Sequence, residues 1–408
     1  MTCRHCSAPL KDIFLDLGFA PPSNAYVTPQ GLNQVERYYP LRLYVCAKCL
    51  LVQTQYDVAP DELFGQDYAY FSSTSKSWLA HAARYADQIS EQLKLTSRSL
   101  VIEVAANDGY LLQNFVAKGI PCLGIEPTLS TAEVARQKGI PIKHTFFCEA
   151  VAQELRQEGR TADLIVGNNV YAHVPDINDF TLGLKTLLNI SGTITLEFPH
   201  LMSLIKHQSC DTVYHEHYSY FSLYSVTRIF RKAGLRIWDV EALPTHGGSL
   251  RIYGCHQENE RAESRTVADL LEQESSRGLH EIAGYLQFQA ASEKVKDGLV
   301  RFLIDLKQRG ISVGAYGAAA KGNTLLNYAG IKPDLLPYVC DAAASKQGKF
   351  MPGSHIPILS PNVLQEYKPQ VVLVLPWNIA QEVVVEQSGI KRWGGRFVVA
   401  IPEIRYLD

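Results

Sequence analysis

From Ser99 onward the chain alternates short apolar runs with amphipathic segments, and few folds accommodate that pattern. Leu100-Val101-Ile102-Glu103-Val104 reads as a buried strand, and 110–118 as the helix after it. Cys122-Leu123-Gly124-Ile125-Glu126 is a second strand, followed by a helix over 131–137. A short third strand falls near Ile140-Pro141-Ile142, a fourth at 163–167 and a fifth at 192–197. Strands separated by helices pair in parallel, so the pattern predicts a doubly wound sheet. The fold class is therefore α/β, with this unit spanning 66–260. The stretch 61–95 is polar and helical in pattern, with Ser72, Ser73, Ser75 and Ser77 crowded together. A polar, helical bridge over about 261–309 leads to apolar runs at 311–317, 338–341, 371–375 and 397–401. These predict a second, smaller Rossmann-like unit, so that 261–408 forms the bridge and C-terminal domain.

Two cysteine pairs, Cys3-x-x-Cys6 and Cys46-x-x-Cys49, define residues 1–65. Zinc takes four soft ligands at tetrahedral corners, and one tight CxxC turn supplies two of them. The 39 residues between the pairs exceed the usual ribbon spacing, so a hairpin or loop is inserted there. A closed four-thiolate site leaves no open coordination position, which makes the zinc structural. The alternatives are two unrelated thiol pairs, or a redox CxxC, which needs a βαβ context. His5, between the ligands, is expected to be inert.

The formal net charge of −2 and the lack of a basic tract argue against nucleic acid as partner. No apolar run approaches the ~20 residues of a membrane helix. Cys122, Cys148, Cys210, Cys255 and Cys340 are scattered and odd in number, which fits free thiols in a reducing, cytoplasmic compartment. A monomer or weak homo-oligomer is expected.

The turn Glu103-Val104-Ala105-Ala106-Asn107-Asp108-Gly109 joins the first strand to its helix. Its small residues let a ligand approach the backbone, and the helix N-terminus carries partial positive charge. With one glycine and two flanking acids it would serve a pyrophosphate badly and a cationic methionine moiety well. Glu126 ends the next strand 23 residues later, where an acid takes two hydrogen bonds from ribose hydroxyls. This is the layout of class I S-adenosylmethionine methyltransferases. The cofactor contacts are assigned to Glu103, Ala105, Asn107, Asp108, Gly109 and Glu126, with Asn168 and Asn169 after the fourth strand. A plain α/β domain with an acidic loop is the alternative.

The densest polar cluster is Tyr214-His215-Glu216-His217-Tyr218-Ser219-Tyr220, after the fifth strand, at the carboxyl edge where such sheets bind ligands. Histidine is the usual base near neutral pH, a glutamate orients imidazole, and a tyrosine hydrogen-bonds a developing oxyanion. His215 and His217 are two residues apart and do not fit a helical metal motif. His173, after the fourth strand, lines the same crevice or is structural. His246-Gly247-Gly248-Ser249 is a ligand contact or a hairpin turn. In the second unit, Gly317-Ala318-Ala319-Ala320-Lys321-Gly322-Asn323 opens a helix whose amides, with Lys321 and Asn323, suit a nucleotide diphosphate. A structural turn is the alternative there, and Asp341 is a weak candidate for a ribose acid.

Taken in order, these motifs resemble the nucleotide-sugar C-methyltransferases that make branched deoxysugars, over essentially the whole chain. The resemblance implies a zinc domain, a central S-adenosylmethionine domain and a C-terminal Rossmann-like domain. It implies methylation at C3 of a dTDP-4-keto-deoxyhexose. Its Tyr-x-Glu-His motif matches Tyr214, Glu216 and His217, with His217 as general base and Glu216 holding the imidazole. It further implies active-site roles for His173 and for Tyr68, with Tyr70 close enough to share the substrate-facing assignment. His215 is not fixed by the motif and is a candidate for tuning the sugar pocket. Other classes remain open: O- or N-methylation of another small molecule, a non-catalytic S-adenosylmethionine-binding or zinc scaffold, and a nucleic-acid methyltransferase.

Overall fold

The computed structural model describes residues 1–54, 58 and 71–407. Its strands are β1 (Asp12–Ala20), β2 (Tyr39–Val45), β3 (Val52–Thr54), β4 (Val101–Val104), β5 (Cys122–Ile125) and β6 (Ile142–Lys143). They continue with β7 (Ala162–Asn168), β8 (Leu188–Pro199), β9 (Ser219–Tyr220), β10 (Leu235–Leu243) and β11 (Ser249–His256). The last six are β12 (Val313–Tyr316), β13 (Val339–Cys340), β14 (Ile358–Leu359), β15 (Val371–Val374), β16 (Arg396–Val399) and β17 (Arg405–Leu407).

The central sheet has seven strands in the order β10-β11-β8-β7-β4-β5-β6. The pairs β4–β5, β4–β7, β5–β6 and β7–β8 are parallel, and β11 runs antiparallel to both neighbours. This is the class I methyltransferase arrangement. Every residue of β4 and β5 is buried, as a parallel strand covered on both faces requires. After β6 the chain crosses to the far side of β4, so the strand order reverses between β4 and β7. The turn after β4 and the end of β7 therefore border the crevice where such sheets bind ligands.

The third sheet, β14-β13-β12-β15-β16-β17, repeats this logic with a reversal between β12 and β15 and one antiparallel edge, β17. The first sheet is antiparallel, in the order β1-β2-β3-β9. Its fourth strand comes from the middle of the chain: Val52 pairs with Tyr220 and Gln53 with Ser219. One hydrophobic core runs from Phe14, Leu15 and Leu43 through the long helix Phe288–Gln308 to Leu373 and Val398. The first and third sheets thus share a core. Another core joins the cysteine pairs to one face of the central sheet. The helix Lys76–Gln92 covers the opposite face, its start capped by Ser75, which accepts from the Trp78 amide. Among the described residues, no helix is long and apolar enough to cross a membrane.

Candidate active site

The four cysteine sulfurs lie within 4.8 Å of one another. Cys3 and Cys49 are 3.5 Å apart and Cys6 and Cys46 3.4 Å. A tetrahedron with Zn–S near 2.3 Å has edges of about 3.8 Å, so the four thiolates fit a closed zinc site. His5 is not inert. It is buried, its Nδ1 is 2.8 Å from Asn178 Oδ1, and its carbonyl accepts from Lys232, which ties the knuckle to the central domain.

At the turn after β4, Ala105, Asn107 and Gly109 all have positive φ, at 58°, 50° and 75°. A Cβ on Gly109 would sit 2.3 Å from Ile140 Cδ1, so only glycine fits. Asn107 and Asp108 are gripped from outside: the Ser72 amide donates to Asn107 Oδ1 at 2.9 Å, and Ser73 donates through its amide and hydroxyl to Asp108 Oδ2. Both carboxyl oxygens of Glu103, Asp108 Oδ1 and both amide atoms of Asn168 are buried with no hydrogen-bond partner among the described residues. Burial, then Glu126 and Asp108, push the Glu103 carboxyl far above the usual range. Native proteins rarely leave such atoms unpaired, and a cationic ligand with an amine and hydroxyls would satisfy them. These residues fit S-adenosylmethionine. Glu126 already accepts from the Asn107 and Thr128 amides and the Thr131 hydroxyl, so a ribose would share this carboxylate with protein donors.

The segment 210–220 is fastened to the loop after β7, where the Tyr218 amide donates to the Ala172 carbonyl at 2.8 Å. His217 is buried, and its ring centroid lies 4.1 Å from that of Tyr214 and 4.7 Å from that of His173. Burial, then His173, hold the His217 imidazole well below its ordinary pKa. Burial likewise lowers His173 to about 4. Two neutral imidazoles therefore face each other. Among the described residues Glu216 makes no hydrogen bond to the His217 ring; its Oε1 accepts from Asn24 Nδ2 at 3.0 Å. His215 is directed away from the histidine pair, with Nε2 3.3 Å from the Tyr39 carbonyl of β2.

The two sheet reversals meet at His246. Its Nε2 is 3.2 Å from Asn169 Nδ2 on the central side, and its carbonyl accepts from Lys321 Nζ at 3.0 Å on the other. Lys321 also donates to Asn378 Oδ1 and lies 5.2 Å above the Trp377 ring, so one of its three N–H groups remains for a ligand. Trp377 Nε1 donates to Asp211 Oδ2 at 2.9 Å. Among the described residues the other Asp211 oxygen is buried without a partner, and burial raises this carboxyl to about 6. Asp341 accepts from the Ala343 amide and pairs with Lys346 at 3.4 Å. Asn323 is buried in the same helix as Lys321, its Nδ2 without a partner among the described residues.

Family models match three consecutive parts of the chain: a zinc binding domain over 3–64, a methyltransferase domain over 78–240 and a C-methyltransferase C-terminal domain over 244–402. The C-methyltransferase NovU of Streptomyces niveus is 34% identical over 409 residues, covering 100% of this chain and 96% of its own. The chain belongs to the S-adenosylmethionine-dependent C-methyltransferase family. Among solved structures, the magnesium protoporphyrin IX methyltransferase of Synechocystis PCC 6803 is 15% identical with a TM-score of 0.34, over 48% of this chain and 88% of that one. The PH0226 protein of Pyrococcus horikoshii is 13% identical with a TM-score of 0.38, over 48% and 98%. Likenesses this low carry no argument.

In this C-methyltransferase, Tyr214, His217 and His173 come together beside one crevice, and Glu103, Asp108 and Asn168 beside the same sheet reversal. Tyr68 and Tyr70 lie outside the described residues. Sequence reasoning missed Asn24, Asp211 and Trp377, which have no local motif. It also missed a buried ion network: Arg251 pairs with Glu197 at 2.8 Å and Glu241 at 2.9 Å, and His81 Nε2 is 2.9 Å from Glu197. The available signal was an arginine inside an apolar strand.

Proposed function

We propose that this C-methyltransferase acts at C3 of a nucleotide-linked 4-keto-deoxyhexose, as a step in making a branched deoxysugar. The observation that carries this reading is the buried His217 ring, whose centroid lies 4.1 Å from that of Tyr214 and 4.7 Å from that of His173. Burial favours its neutral form, which keeps one ring nitrogen with a lone pair, as a base for carbon acids needs. The ketone at C4 acidifies the C3 proton. His217 takes that proton, and the electron pair moves onto the C4 oxygen as an enolate. Tyr214 and His173 offer hydrogen bonds to that oxygen. When bound, S-adenosylmethionine supplies an electrophilic methyl group, held by the Glu103–Gly109 turn, Glu126, Asn168 and Asn169. Lys321, Asn323 and His246 contact the nucleotide part, and in-line placement of the two ligands provides much of the rate. The zinc has a structural role and takes no part in the reaction.

The test is a mass-spectrometric assay with labelled S-adenosylmethionine and a panel of dTDP-4-keto-6-deoxyhexoses. The expected result is one added methyl on the sugar with loss of deuterium placed at C3. Methylation with that deuterium retained would move the activity to oxygen or nitrogen.

A further inference from the structure

Glu216 is held through its side chain: its Oε1 takes the Asn24 amide N–H at 3.0 Å. Its Oε2 is buried and, among the described residues, has no partner. Asn24 lies in the loop between β1 and β2 of the cysteine-bearing sheet, far from the motif in sequence. The segment is fastened to that sheet independently: the Thr54 amide donates to the Tyr218 carbonyl at 3.0 Å, and β9 pairs with β3. Asn24 is therefore not needed to dock the segment, yet it spends its amide on this carboxyl. A buried carboxyl with one oxygen fixed and the other bare has its bare oxygen aimed by the bond that holds it. Leaving such an atom unmet costs free energy that a substrate hydroxyl or ketone would recover.

We propose that Asn24 is a positioning residue of the methyl-transfer site, fixing the Glu216 carboxyl so that Oε2 is the polar atom offered to the sugar. The inference rests on the methyl-transfer reading above. The titratable groups facing Glu216 are Tyr26 on the Asn24 loop, Tyr220 on β9 and His173, with His217 next in the chain. Burial raises both tyrosines far above their ordinary range and lowers both histidines below theirs, so none of the four is charged near neutral pH. Burial raises Glu216 to about 7, and the Asn24 N–H is the first influence opposing it. Removing that donor destabilises the carboxylate, so the group then loses its proton at a higher pH.

The experiment follows the carboxyl infrared band of Glu216 against pH, as the difference between each protein and the same protein carrying Glu216→Gln. In Asn24→Ala the protonated band should persist roughly one pH unit higher than in the wild type. In the near-isosteric Asn24→Asp two carboxyls share a proton, and the band should persist higher still. With the keto-sugar substrate both variants should lose roughly 10- to 100-fold in kcat, with S-adenosylmethionine affinity unchanged. An unmoved band, or a moved band with wild-type kcat, would overturn the assignment. A wild type inactive on every keto sugar would instead overturn the methyl-transfer reading, while the band still reports whether Asn24 holds Glu216. Should Asn24→Ala fail to fold, Asn24→Asp alone decides between these outcomes.

Discussion

His173 and His217 meet edge to face, ring centroids 4.7 Å apart at 69°, and neither ring is protonated near neutral pH. Protonating either ring would place a cation in a site with no described carboxylate bonded to it. In the unfolded chain both histidines take up a proton near pH 6.5, whereas in the fold His173, His215 and His246 do so only at about 4. Between these values the unfolded state binds more protons, so stability falls as pH falls, by about 1.4 kcal/mol per unit per histidine. Glu103, Glu126, Asp211 and Glu216 work against this, because a raised carboxyl pKa favours the fold on acidification. The histidine share is therefore read by difference: as pH falls from 6.5 towards 4, the urea midpoint should drop less in His173→Asn than in the wild type. Equal drops would mean that His173 is not buried as a neutral ring.

Replacing His217 with Asn should remove the base while keeping a comparable polar shape. Turnover should drop by roughly 10²–10⁴, with S-adenosylmethionine affinity by calorimetry close to wild type. Retained turnover would assign proton abstraction to another group.

Glu103→Gln tests the cofactor side. The change removes a buried carboxyl whose oxygens have no partner among the described residues. Cofactor affinity should weaken by about tenfold or more, since charge-assisted bonds contribute about 1.5–3 kcal/mol. Thermal stability without ligand should hold or rise. Weaker binding together with a lower melting temperature would make Glu103 a structural residue.

Glu197→Gln should have the opposite signature. Arg251 is almost fully buried, and Glu197 is its one wholly buried partner. Leaving that guanidinium undercompensated costs about 3–5 kcal/mol, which chemical denaturation would register.

Cys46→Ser should abolish stoichiometric zinc, measured by metal analysis, and lower the melting temperature, because a structural zinc contributes folding free energy. Full zinc content in the variant would break the four-thiolate assignment.

The central and third sheets were legible because each parallel strand is a continuous apolar run next to its own helix, so the signal is local. The Glu103–Gly109 turn and Tyr214–His217 were legible for the same reason. The orientation within the motif was not. Nothing in Tyr-His-Glu-His says that His215 faces β2 or that Glu216 turns to Asn24. Those choices are made by chain segments distant in sequence. The same holds for Asp211 and Trp377, which meet only because two sheet reversals are brought together at His246.

The pairing of Ser219–Tyr220 with Val52–Gln53 has an evolutionary cost. A cassette ending after β3 could not be exchanged with that of a relative without re-fitting a strand coded far downstream. Deleting it would leave β9 with a bare backbone edge, which invites pairing with another chain. Recombination within this family should therefore tolerate crossovers beyond Gly234 better than crossovers between residues 54 and 219, which would inherit the two halves of one sheet from different parents.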